Sequence, residues 1–381
     1  MKLADVLNIE ELHQIAKRRT PRAVFDYFEG GVEDEDGLAR NESIFRQHQL
    51  LPRYLVDVSA IDQRKALFGK TYASPFGVAP TAAQGYLRPG ADLMIARAAA
   101  GANVPYVMSG LSTASMESAA DVAREHMWYQ LYGAKDRKIS RDMIRRASAC
   151  GLGGLVLTVD VPVGSKRERE LRNKIYETKM PLRNKLEALR HPAWLWDYLT
   201  KGPVEIANWR PYFDAKLSAD ALFQAARTQF PVADQTWKDV EEFRELFPGK
   251  FLLKGILHPQ DAVRAAELGV DGIFISNHGG RQLDKGPTAI EMLPEIKAAV
   301  GGKLALLFDG GVRRGSDILV ALALGADFVF VGRPLLFGVA AFGLPGAQRA
   351  IGILQSEIEI TMKQLGTPSL AQVGPQILRK P

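Results

Sequence analysis

His278 and Arg281 lie three residues apart in the run Ser276-Asn-His-Gly-Gly-Arg-Gln-Leu-Asp284. An imidazole titrates near neutral pH and can serve as a base, while a guanidinium presents a planar fork that suits a carboxylate. Together they are chemistry for a small anionic substrate. A second group of residues is suited to a phosphate. Asp309-Gly-Gly-Val-Arg-Arg-Gly315 and Gly332-Arg333-Pro334 combine glycines, whose N–H groups can approach an anion closely, with the cations Arg313 and Arg333.

These residues need a scaffold that brings distant segments together, and the hydrophobic pattern supplies one. Eight short apolar runs alternate with helix-like stretches: 76–79, 105–108, 128–131, 155–159, 251–253, 273–275, 304–308 and 328–331. Each stops at a polar or glycine-rich end, and His278 follows the sixth. The pattern predicts a (β/α)8 TIM barrel, an α/β fold whose strand ends converge on one face and build the site there. A doubly wound open sheet would need a Gly-x-Gly-x-x-Gly turn to hold a dinucleotide, and the sequence has none. Two N-terminal helices, 9–19 and 21–29, precede the barrel, and apolar residues at helical spacing from Ile351 to Leu365 predict a closing helix. The whole chain, 1–381, reads as one domain. Between the fourth and fifth strands, residues 166–236 are far more than one helix and two loops require, so they read as a functional insertion.

A phosphate site at the end of strands seven and eight, without a dinucleotide fingerprint, implies a mononucleotide cofactor or a phosphorylated substrate. Lys254, at the end of the fifth strand, could form a Schiff base or place a positive charge beside N1 and O2 of a flavin. Ser109, Gln130 and Thr158 could then hydrogen-bond the pyrimidine side of that ring.

Composition narrows the class. Cys150 is the only cysteine, which excludes an intrachain disulfide and cysteine-based metal or iron–sulfur sites; no metal site is expected. The net charge of +6 comes with no nucleic-acid-binding motif, so no nucleic acid partner is expected. Acids within the first eleven residues argue against a signal peptide, and no apolar stretch is long enough to span a bilayer, so a cytoplasmic setting is expected.

Taken in order, Asp26-Tyr27, Ala79-Pro-Thr-Ala-Ala83, Gln130-Leu-Tyr132, Thr158-Val-Asp160, Arg167, Lys254-Gly255, Ser276–Asp284, Asp309–Gly315 and Gly332-Arg333 resemble the FMN-dependent L-2-hydroxy-acid oxidase and dehydrogenase family. The resemblance covers essentially the whole chain. It implies FMN as cofactor, held by Pro80, Thr81, Ala82, Ser109, Gln130, Thr158, Lys254, Ser276, Asp309, Gly311, Arg313, Gly332 and Arg333. It implies His278 as the base and Asp160 as the carboxylate that stabilises its imidazolium. Arg281 and Arg167 would clamp the substrate carboxylate with Tyr27 as a further donor, and Tyr132 would bond the substrate hydroxyl. Whether the Cα hydrogen leaves as a proton or as a hydride is open; either route uses His278.

Arg281 favours a carboxylate substrate, because relatives that oxidise other compounds can lack it. Leu111 stands where plant-type glycolate oxidases have tryptophan, which implies a pocket larger than glycolate needs and favours L-lactate, with mandelate-like acids as alternatives. From Lys166 to Lys216 the insertion holds twelve Lys or Arg against seven Asp or Glu, together with Trp194, Trp196 and Trp209. Basic residues with interfacial aromatics read as a surface that lies on an anionic membrane, or else as a loop whose tryptophans pack on the barrel. His191-Pro-Ala-Trp-Leu-Trp-Asp197 resembles the membrane-binding segment of bacterial mandelate and lactate dehydrogenases, implying peripheral attachment to the inner face of the cell membrane and a quinone acceptor. Ala82 points the other way: it matches the oxidases, and a soluble oxidase producing hydrogen peroxide is the alternative. More distant alternatives are a flavin- or phosphate-binding barrel isomerase and a non-catalytic membrane-bound module. The resemblance also implies a homotetramer or larger assembly.

Overall fold

The computed structural model describes residues 2–177 and 181–379. Its first strands are an antiparallel hairpin, β1 (Lys65–Leu67) and β2 (Lys70–Tyr72). Then follow β3 (Phe76–Val78), β4 (Tyr106–Ser109), β5 (Met127–Tyr132), β6 (Gly154–Thr158), β7 (Lys250–Ile256), β8 (Gly272–Ile275), β9 (Ala305–Asp309) and β10 (Phe328–Val331). These eight pair in parallel with their sequence neighbours, and β10 returns to β3 to close the barrel. All eight apolar runs are therefore strands, with ends shifted by a few residues at most.

Side chains alternate across a strand, so each strand sorts its residues into two cores. Val107, Trp128, Val156, Leu252, Phe274, Leu307, Phe328 and Phe330 fill the barrel interior. Tyr106, Met108, Tyr129, Leu155, Leu157, Leu253, Ile273 and Phe308 face the helices. The same alternation explains the placement of the site. Counting on by two from the interior set gives Ser109, Gln130, Tyr132, Thr158, Asp160, Lys254, Ser276, His278 and Asp309, so the polar groups are the continuation of the inward face beyond the apolar plug.

The β1–β2 hairpin was not anticipated. Leu67 and Tyr72 join the interior core, with Phe68 packed against Trp128 at 5.7 Å and Tyr72 against Phe328 at 5.7 Å between ring centroids. The hairpin thus stoppers the N-terminal end of the barrel. Its strands are three residues long and half polar, too short for an alternation to register.

The N-terminal helices span Ile9–Arg19 and Arg22–Glu29. Asn8 caps the first by accepting from the Glu11 N–H at 2.9 Å, with acids in its first turn and bases in its last, as the helix dipole favours. Pro21 is the residue before the second helix rather than its first, because its ψ of 141° is extended. The closing helix runs Leu344–Gln364 and is followed by Gly366 in a left-handed conformation.

The insertion folds into helices Glu168–Asn173, Leu182–Ala188, Pro192–Lys201 and Ala219–Arg227 with a 3-10 turn at Ala207–Tyr212. It is docked on the barrel by its tryptophans. Trp209 is fully buried and donates to the Gly110 carbonyl at 3.1 Å, and Trp194 is buried and donates to the Tyr86 carbonyl at 2.8 Å. The expected interfacial role fails for both, since burying side chains of this size contributes roughly 2–3 kcal/mol each to docking. Only Trp196, 70% exposed, keeps an outward face.

Candidate active site

The C-terminal strand ends open into a cavity of about 460 Å³. Its wall includes Tyr27, Pro80, Thr81, Ala82, Leu111, Gln130, Tyr132, Thr158, Arg167, Lys254, His278, Arg281, Asp309, Gly311, Arg313, Gly332 and Arg333. Asp160, Ser109 and Ser276 stand one layer behind, each bonded to a lining residue.

His278 Nδ1 lies 2.9 Å from Asp160 Oδ1, which fixes the ring and leaves Nε2 as the free nitrogen. Burial holds the imidazole below its ordinary pKa, partly offset by Asp160, so it is neutral and basic at pH 7. Burial acts upward on Asp160, but the neighbouring His278 and Lys254 charges and the histidine hydrogen bond outweigh it and keep the carboxyl below its ordinary value. His278 adopts φ 58°, a left-handed conformation unfavourable for a side chain with a Cβ. The strain is local to the residue the chemistry would use. Gly255 makes room for the pair: at φ 101°, a Cβ there would lie 2.3 Å from the Asp160 carboxyl carbon. Burial raises the pKa of Tyr132, so its hydroxyl is a proton donor at any physiological pH.

Arg281 donates to the Tyr27 and Gly30 carbonyls at 2.8 and 2.7 Å and to Glu170 at 2.7 Å, which leaves two of its five donors for a ligand. Arg167 bonds Ser165, the Arg281 carbonyl and Gln282, and its Nη1 lies 3.7 Å from Glu170. Glu170, 1% exposed, is the shared counter-charge of the two arginines. It was missed in the sequence because Arg167-Glu-Arg-Glu-Leu-Arg172 reads as a solvated charged helix. Gln282 was also missed; it bridges the Asp160 carbonyl and Arg167 and so ties the base to the cation. Tyr27 lies under Arg281, its ring centroid 5.3 Å from the guanidinium, and burial pushes its pKa up to about 12.

Lys254 Nζ sits 2.8 Å from Ser276 Oγ and 2.9 Å from Asp309 Oδ2. Burial opposes its charge, but Asp309 and Asp160 more than compensate, so the lysine is a cation with a raised pKa. A neutral amine poised for Schiff-base chemistry needs the opposite shift. Gln130 donates to Thr158 Oγ1 at 2.8 Å and accepts from Ser109 Oγ at 3.2 Å, a fixed polar pair beside the lysine. At the other end, Gly311, with φ 78°, lies so close to Asn41 that a Cβ would overlap the Asn41 carbonyl. Arg313 pairs with Glu42 at 2.5 Å.

Residues 16–380 match the family model described as FMN-dependent dehydrogenase. The chain belongs to the FMN-dependent dehydrogenase family. It is 37% identical to the (S)-mandelate dehydrogenase of Pseudomonas putida over 98% of this chain and 94% of that one. It is 39% identical to a peroxisomal (S)-2-hydroxy-acid oxidase of Oryza sativa subsp. japonica over 96% and 94% of the two chains. A solved structure titled as the monotopic membrane protein (S)-mandelate dehydrogenase superposes with a TM-score of 0.94 at 36% identity, covering 99% of this chain and 100% of that chain.

The cofactor of this FMN-dependent dehydrogenase is FMN, and the cavity suits it. Arg333 donates to the carbonyls of Phe28, Gly279 and Gly30 at 3.0, 3.1 and 3.0 Å, yet among the described residues no carboxylate pairs with it. Burial, reinforced by Arg313, lowers its pKa to about 9. A part-buried guanidinium bonded only to neutral carbonyls beside a glycine cradle is what a phosphate completes. Lys254 would face the other end of such a ligand, where a flavin ring accumulates negative charge.

Proposed function

We propose that this FMN-dependent enzyme oxidises an (S)-2-hydroxy acid, L-lactate favoured over mandelate-like acids, to the 2-oxo acid and passes the electrons to a membrane quinone. The observation that carries the reading is the His278–Asp160 pair opening on the same cavity as Arg281 and Arg167. The arginines' free donors hold the substrate carboxylate, and Tyr27 adds a donor. Tyr132 bonds the 2-hydroxyl. His278 Nε2 takes a proton from the substrate while Nδ1–H remains on Asp160, whose charge stabilises the imidazolium as it forms. When bound, FMN would take up the two electrons and the second of the two hydrogens that the carbinol group loses. Leu111 in the wall leaves space for a methyl group or more.

Ala82, in the cavity wall, supports the second reading, a soluble oxidase, because alanine at this position resembles the oxidases. Peroxide formed per turnover in air, with and without a soluble quinone, separates the two. Quinone should suppress peroxide; stoichiometric peroxide indifferent to quinone would leave the oxidase. Anaerobic bleaching of the flavin by glycolate, L-lactate and (S)-mandelate ranks the acids without any acceptor.

Membrane contact is supported by the insertion's outer face. No described helix is long and apolar enough to cross a membrane. Leu182, Leu186 and Leu189 recur along one face, and Trp196 and Leu199 lie on the next helix, all more than half exposed. An apolar stripe flanked by Arg183, Lys185 and Arg190 is suited to an anionic bilayer surface. Replacing Leu186 and Trp196 by serine should reduce sedimentation with vesicles containing phosphatidylglycerol by about tenfold while flavin bleaching by lactate persists; undiminished sedimentation would refute the assignment.

A further inference from the structure

We propose that Arg227 is a second anion site inside the substrate chamber, one that extends the range beyond lactate to 2-hydroxy acids carrying another carboxylate at the far end of the chain. This deepens the reading above and rests on it for the reaction. Arg227 ends the insertion helix Ala219–Arg227 and forms part of the chamber wall with Leu171, Tyr176 and Phe223. Its guanidinium carbon lies 4.1 Å from the centroid of the Tyr176 ring. Stacking occupies a face of the guanidinium and leaves its edge, with five N–H donors, unused. Among the described residues it makes no hydrogen bond and no ion pair.

Of the other arginines in the wall, Arg333 is the one assigned above to the cofactor phosphate, and the rest have carboxylates. Arg167 and Arg281 share Glu170, and Arg313 has Glu42. Glu170 favours the Arg227 charge from a distance but forms no hydrogen bond or ion pair with it, its oxygens taking Arg281 and the Tyr176 hydroxyl. Arg167, Arg281 and Arg227 therefore share this part of the chamber with one carboxylate, which is ion-paired to the first two. A substrate with one carboxylate answers the Arg167–Arg281 pair and leaves Arg227 partly buried without an anion; a diacid answers both. Burial lowers the Arg227 pKa, a cost that a ligand carboxylate would remove. Lactate, with a methyl group at that end, makes no use of the site.

The test compares 2-hydroxy diacids having one to three methylenes before the distal carboxylate, each against its own ω-amide, by anaerobic flavin reduction in the holoenzyme. The best diacid should exceed its amide in kcat/KM by about 30-fold, the range of a charge-assisted contact, and the ratio should fall to near one in Arg227→Met and Arg227→Gln. The glutamine variant keeps a polar head and guards against a packing effect. Calorimetric titration with the corresponding 2-oxo diacid, which is not oxidised, should show the same preference and the same loss. A ratio near one in the unaltered enzyme, or an equal fall for diacid and amide in both variants, would overturn the assignment. If no 2-hydroxy acid of either kind bleaches the flavin, the reaction itself is misread, and the calorimetric arm still decides whether Arg227 binds a distal carboxylate.

Discussion

Replacing His278 by glutamine is expected to slow substrate-driven flavin reduction by about 10⁴-fold, the upper end for loss of a general base, while FMN stays bound. The size follows from the absence of a substitute: Tyr132 is held protonated by burial, and Lys254 is a cation committed to Asp309. Glutamine preserves the side chain's bulk and can still reach Asp160, so the loss would report the missing proton acceptor. The pH dependence gives an independent check. Because burial holds His278 below 6.5, kcat/KM should be flat at neutral pH and fall only as pH drops through a value under 6.5. Asp160 raises the histidine's pKa, so Asp160→Asn should move that acid limb to still lower pH, with a plateau reduced by about 10²-fold because the imidazolium loses its counter-charge. Stopped-flow bleaching across pH 5–9 measures both. An acid limb that stays in place in Asp160→Asn would separate the carboxylate from the base.

The second large effect is expected at Arg333. Its three carbonyl bonds orient the guanidinium without neutralising it, and a ligand phosphate would supply the missing charge. Arg333→Met should weaken FMN binding by about 100-fold, roughly 2.7 kcal/mol. By linkage, the rise in melting temperature that added FMN gives should shrink in step, whereas the apoprotein should change much less, since a buried unpaired charge contributes little to its stability. Fluorescence titration of the apoprotein with FMN, beside melting curves with and without it, tests the claim. Unaltered affinity in the variant would remove Arg333 from the phosphate site.

Much of this site was legible in the sequence because a barrel translates chain order into geometry. Once eight apolar runs are strands, the residues two beyond each inward side chain must meet, and Lys254, Asp160 and His278 are found by counting. What the sequence hid depends on depth and on partners. Glu168 and Glu170 stand two residues apart in one charged run, yet Glu170 is buried beside two arginines and Glu168 pairs with Arg172 outside. Trp194 and Trp196 differ by two residues and lie on opposite sides of one helix, so composition could not say which met the barrel and which met solvent. Arg227 was passed over for the same reason: only the folded insertion brings it to the chamber.

The hairpin that closes the far end of the barrel bears on turnover as a whole. A chamber stoppered there is a cul-de-sac, and everything that enters must leave by the way it came. On the reading proposed above, the acid, its oxo product and whatever relieves the cofactor of electrons would all use the end of the chamber lined by the insertion residues Leu171, Phe223 and Arg227. Sharing that end would favour two half-reactions taken in turn, with the oxidant following the product's departure.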